Sequence, residues 1–184
     1  MTNIYRLLPF QHPFFTFAFM KKLILLTPGR VSNFFKLLLV FGFLFGFSQS
    51  VLAQTKYVKL YRPYADSLSE EYGIPAAVML GVAILESGSG TSRNAKLLNN
   101  HFGIVGKNKL TTVKSRYKQY NHPRDSYKDF CKLVKKKKFY EKLKGNTNPT
   151  LWIEALSKVG YSEVPETWKT RVLSTIKKNK LASP

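Results

Sequence analysis

Acidic side chains are scarce in this chain: ten Asp and Glu face 30 Lys and Arg, a formal net charge of +20. Such an excess favours anionic partners, whether envelope polymers, anionic lipid or nucleic acid, and does not choose among them. The densest basic run, Lys135–Lys138, has the character of a solvated helix face, so a nucleic-acid role is not expected. Cys131 is the only cysteine, which excludes an internal disulfide; it sits on an apolar helical stripe and reads as a small core residue. No grouping of His, Cys and carboxylates has metal-ligand spacing, and no Gly-rich phosphate loop is present. Neither a metal nor another cofactor is expected.

Long apolar runs are lacking too. The longest, Leu37–Phe47, is short for a stable membrane span. It follows Lys21, Lys22, Arg30 and Lys36, and it precedes Ser48–Ala53, whose small residues suit cleavage after Ala53. That order is the order of a secretory signal peptide, so residues 1–53 are expected to be a leader. Residues 1–19 fit no part of such a plan, and Met20-Lys21-Lys22 reads as the natural start. The expected product is one domain over 54–184, located in the periplasm, the cell envelope or the medium. Five of the basic residues and none of the acidic ones fall in the leader. That leaves 25 against ten in the domain, a net +15.

What the domain does contain is one unusually apolar helix. Pro75 suits the first helical position because it lacks the N–H that would have no partner there. From Ala76 to Leu85 no side chain is charged or strongly polar, so the helix has no face for water and belongs inside a core. Gly88 and Gly90 end it. Glu86 falls in its last turn, where partial burial and the negative end of the helix dipole both hold a carboxyl protonated toward neutral pH. A protonated carboxyl is what general acid catalysis needs. The plainer alternative is that Glu86 marks where the helix meets solvent.

The remaining elements are read from periodicity. Thr55–Tyr72 is an expected helix with Val58, Tyr61, Ala65, Leu68 and Tyr72 inward. Ser92–Leu98 reads as a short helix, and Phe102–Tyr120 reads as a small β-lobe turning at Lys107–Leu110. Ser126–Val134 is an amphipathic helix with Tyr127, Phe130, Cys131 and Val134 inward. A helix from Leu151 to Gly160 precedes a last one carrying Trp168, Val172, Leu173 and Ile176.

Four pieces then stand in order: Leu85-Glu86-Ser87-Gly88-Ser89-Gly90, Asn99-Asn100-His101-Phe102-Gly103-Ile104, Tyr117-Lys118-Gln119-Tyr120 with Asp125-Ser126-Tyr127, and Gly160-Tyr161. Together they resemble the bacterial glucosaminidases of glycoside hydrolase family 73, the peptidoglycan-cleaving domains of autolysins and flagellar-rod proteins. The resemblance implies a mainly α, lysozyme-like domain with a small β-hairpin lobe flanking a saccharide cleft. It implies hydrolysis of the β-1,4 bond on the reducing side of N-acetylglucosamine. It assigns Glu86 as the acid, Tyr161 as a hydrogen-bonding group near the reacting sugar, and Asn100, Phe102 and Gly103 as the cleft floor. Tyr120 matches an aromatic position along the cleft, and Tyr117 is placed either on a sugar ring or on the outer face of its strand. His101 is expected to be exposed and without a catalytic role.

The sequence departs from the pattern at the second carboxylate that glycosidases ordinarily use. Residues 104–124 contain no Asp or Glu. Asp125 and Asp129 come next and have structural uses available, one opening a helix and one on its polar face. The routes left open are attack by the substrate's own acetamido group and an inverting site completed by a more distant carboxylate. Muramidase or lytic transglycosylase action on the same glycan remains an alternative, as does a wall-binding module without turnover. The expected partners are peptidoglycan glycan strands and other anionic envelope polymers, engaged by a monomer.

Overall fold

The structure is a computed structural model that describes residues 56–111 and 115–182. The leader and Val113 lie outside the described residues. Among those described, seven helices carry the fold: α1 (56–72), α2 (Ala76–Ser87), α3 (Arg93–Leu98), α4 (Pro123–Lys135), α5 (Tyr140–Leu143), α6 (Pro149–Lys158) and α7 (Pro165–Lys178). No described helix is long and apolar enough to cross a membrane.

α2 is the axis of the molecule. Every residue from Ala76 to Ile84 is buried, as its lack of polar side chains requires. Pro75 stands at the N-cap, one position before the place the sequence suggests. α1 covers α2 with Tyr57, Tyr61, Ala65, Leu68 and Tyr72, a stripe at the expected helical spacing except that Tyr57 rather than Val58 is its most buried first member. α4 adds Tyr127, Phe130, Cys131 and Val134, all four inward as their spacing implies. The Cys131 thiol contacts the Met79 sulfur at 3.3 Å, and burial pushes its pKa up to about 12, so it is an inert core group.

α7 packs antiparallel to α2. Gly81 faces Ile176 and Val172, and five residues later Glu86 meets Trp168, earlier on α7. Close approach depends on Gly81, since a Cβ there would lie 2.5 Å from Ile176 Cγ1. Gly81→Val is therefore expected to destabilise the fold by about 1–3 kcal/mol through overpacking, measured as a lowered denaturant midpoint.

The β-lobe is less regular than its composition suggests. Residues 104–107 and 116–119 run antiparallel, but they form one isolated bridge, Val105 to Tyr117, and no named strand. Side chains occupy the places of ladder partners. Asn108 Nδ2 donates to the carbonyls of Ser115 and Tyr117 at 2.7 and 2.9 Å, and Lys109 N–H donates to Gln119 Oε1. Side-chain amides that satisfy the backbone in this way compete with a continuous ladder. The segment rejoins the helical body where Tyr120 N–H donates to Leu98 O at 2.9 Å.

Candidate active site

The C-terminus of α2 is closed tightly. Gly88 takes the left-handed conformation (φ 56°) and its N–H returns to Ile84 O, as does that of Ser89 at 3.1 Å. Ser87, fully buried, donates through Oγ to Ala83 O and accepts from Gly90 N–H at 2.8 Å. Glu86 is thus held on a turn whose neighbours on both sides are fixed.

Its carboxyl, half-buried, has an indole for a partner: Trp168 Nε1–H donates to Oε1 at 2.8 Å. Burial pushes the Glu86 pKa up to about 7, while the Trp168 hydrogen bond and the nearby Arg171 charge pull against that shift. Burial outweighs both. At neutral pH a large fraction of the side chain carries its proton, so it can donate one to a leaving oxygen and then act as a base. Trp168 and Arg171 lie three residues apart on the first half of α7, and the sequence reading places Trp168 only as a core residue. A tryptophan on an apolar stripe gives no local sign that its N–H will meet a carboxyl 82 residues away.

The loop after α3 is built on Asn100. Its Oδ1 accepts from the N–H groups of Phe102 and Ile104, and its Nδ2 donates to the carbonyls of Ile104 and Lys118, both at 2.8 Å. The amide is committed to shaping the loop and clamping it to the β-lobe. Asn100 therefore orders the floor rather than presenting a free group to a ligand. Asn99, in the left-handed region at φ 53°, does the same job one residue earlier by donating to Tyr120 O and Asn121 O.

Tyr161, in the link between α6 and α7, joins this loop to the carboxyl's support. Its hydroxyl donates to Phe102 O at 3.1 Å, and its ring lies 5.0 Å from that of Trp168. Glu86, Trp168, Tyr161 and the loop carrying Gly103 thus form one connected set.

The other candidates fall elsewhere. The Phe102 ring is 1 % exposed and stacks on Phe130 at 4.5 Å, and its carbonyl accepts from Tyr161. Tyr120 is buried and gives its hydroxyl to Asp129 Oδ2 at 2.8 Å instead of presenting it along the cleft. Asp129 also pairs with Lys118, so it is part of a part-buried cluster, not of a polar helix face. Asp125 accepts from His122 N–H at 3.0 Å and opens α4 as its position suggests. Tyr117 is half-buried, with the Arg116 guanidinium 5.6 Å from its ring centre.

His101 differs most from expectation. It is 3 % exposed, enclosed by the rings of Tyr57, Tyr61 and Tyr127, with Nδ1 2.6 Å from Tyr57 Oη. Burial pushes its pKa down to about 4, so the ring is neutral and structural at working pH. The aromatic residues of α1 and α4 that enclose it are distant in sequence, and tertiary packing alone brings them there. Among the described residues no group of three or more His, Cys, Asp or Glu could hold a metal.

Residues 62–181 match the family model described as glucosaminidase, mannosyl-glycoprotein endo-beta-N-acetylglucosaminidase. Among solved structures the chain is similar to a peptidoglycan hydrolase from Sphingomonas sp. A1, with 25% identity, TM-score 0.56 and coverage of 68% of this chain and 89% of that one. It is also similar to a truncated glycoside hydrolase domain of FlgJ from Salmonella typhimurium, with 20% identity, TM-score 0.57 and coverage of 71% and 99%. The catalytic domain of the autolysin Auto from Listeria monocytogenes shares the fold at 16% identity and TM-score 0.60, over 93% of this chain and 98% of that one. No curated protein matches the chain.

Proposed function

The chain belongs to the endo-beta-N-acetylglucosaminidase family just described, and from that premise we propose that Glu86 is the general acid of a peptidoglycan-cleaving site. The protein is a glycoside hydrolase acting on the cell-wall glycan. The bond cut is the β-1,4 linkage on the reducing side of N-acetylglucosamine. The reading is carried by one observation: a half-buried carboxyl, its pKa pushed up to about 7, at the end of the buried central helix and inside the matched region.

Glu86 protonates the glycosidic oxygen as the bond to the leaving sugar lengthens, and Trp168 holds the carboxyl in aim. Tyr161, tied to Phe102 O and packed on Trp168, is the hydrogen-bonding group assigned to the reacting sugar. The acetamido oxygen of the substrate supplies the nucleophile, a reading supported by the occupations of Asp125 and Asp129 and by the lack of any acid in 104–124. Water then opens the cyclic intermediate, with Glu86 now accepting the proton. A substrate whose acetamido oxygen is replaced is expected to be inert; ordinary turnover of it would refute the route.

The catalytic domain is 54–184, exported behind the leader 1–53 and working in the envelope as a monomer. Its excess positive charge attracts the domain to the anionic wall. Mass spectrometry of muropeptides released by the purified domain tests the assignment. New reducing ends on N-acetylglucosamine are expected. Reducing N-acetylmuramic acid would indicate muramidase action, its anhydro form transglycosylation, and no release a binding module.

A further inference from the structure

One residue beyond Glu86, α2 ends in a strained turn. Gly88, Ser89 and Gly90 follow one another in the left-handed region, at φ 56°, 56° and 79°, and the Cβ of Ser89 disfavours that conformation. Such backbone persists where its surroundings over-determine it. The Tyr57 ring of α1 belongs to those surroundings. A Cβ on Gly90 would lie 3.3 Å from Tyr57 Cε2, and Gly90 gives its N–H to the hydroxyl of Ser87, the neighbour of Glu86.

Two bonds to its hydroxyl fix that ring. Tyr57 Oη lies 2.6 Å from His101 Nδ1 and 2.8 Å from Tyr127 Oη, in a buried network that the chemistry above leaves unused. A hydroxyl donates once and also accepts, so both bonds are made together whichever tautomer His101 takes. His101 belongs to the loop that Asn100 orders, and its backbone N–H donates to Ser126 Oγ of α4 at 3.3 Å. One buried side chain therefore ties the turn after Glu86 to that loop and to α4.

We propose that Tyr57 is a positioning residue for the reaction: through its bonds to His101 and Tyr127 it locks the turn that ends α2 against the loop carrying Gly103, and so keeps the Glu86 carboxyl aimed. The inference rests on the reading of Glu86 as the acid. A buried network with its bonds made is rigid, and a small misplacement of a catalytic group is felt in the chemical step.

Tyr57→Phe keeps the ring against Gly90 and deletes the hydroxyl. Its kcat on peptidoglycan is expected to fall about tenfold with KM unchanged. Added to Glu86→Gln, the same substitution should cost nothing further, because no acid is left to aim. Cys131→Ala, which opens core space beside Met79 in the first half of α2, should keep wild-type kcat. Unchanged kcat in Tyr57→Phe, the same fall with and without Glu86, or an equal fall in Cys131→Ala would overturn the brace and leave Glu86 in its role. Should Tyr57→Phe not fold, the bond is read from its other end. His101→Asn, with a polar group where Nδ1 stands, should retain kcat, and His101→Leu, which fills the space without one, should lose it about tenfold; the reverse order would overturn the proposal. Wild-type turnover by Glu86→Gln alone would remove the acid, and this inference with it.

Discussion

Glu86→Gln is expected to lower kcat on peptidoglycan by roughly 10³-fold with little change in KM, because it removes a proton donor and keeps the shape of the site. In wild type the alkaline limb of the kcat profile should fall near pH 7, where the carboxyl loses its proton. The same substitution should raise stability above that pH. In the folded chain the carboxyl keeps its proton up to about pH 7, whereas in the unfolded chain it releases it near its ordinary value of 4.5. Between those values the native state binds more protons than the unfolded one, so wild-type stability falls as pH rises and levels off above 7. A glutamine has no proton to lose and escapes the penalty. Denaturation at pH 8 should therefore find Glu86→Gln more stable by up to about 2–3 kcal/mol, with the two proteins converging below pH 4. A variant that keeps wild-type turnover removes Glu86 from its role. One that is inactive and no more stable at pH 8 shows a carboxyl that ionises freely.

Trp168→Phe is the second expected large effect, and its signature is a displaced pH profile. The indole N–H donates to the carboxyl and holds its pKa down against burial. Phenylalanine keeps a ring for Tyr161 to pack on and deletes that donor. The alkaline limb of kcat should then move up by about one pH unit, equivalent to roughly 1.4 kcal/mol lost by the carboxylate. At the optimum, kcat should drop about 10- to 100-fold, because the carboxyl is no longer aimed. A drop in kcat with an unmoved limb would mean that Trp168 only fills space.

These two residues divide what could be read along the chain from what could not. Glu86 is legible because its signals are local: an apolar helix, glycines that end it, and the motif Asn99–Ile104 a dozen residues on. Trp168 is silent because a hydrogen bond across 82 residues leaves no periodic trace. Asn100 is marked by its motif, but the four bonds that commit its amide leave no local trace, because they come from backbone folded around it. The β-lobe shows the limit of composition. Its β-forming residues are real, yet Asn108 and Gln119 satisfy the backbone that a ladder would have used.

That a helical domain forms around Ala76–Ile84 follows from residue order alone, because a segment with no polar face has nowhere to go but inside. The family follows from the same source, because a motif spacing is a one-dimensional fact. The state of the groups near that helix is set by packing in three dimensions. The burial that raises Glu86, the indole that restrains it, the rings that keep His101 neutral and the hydroxyl of Tyr161 on Phe102 O all depend on how elements distant in sequence exclude water together. Desolvation is a property of a packed volume, and no local stretch of chain contains one.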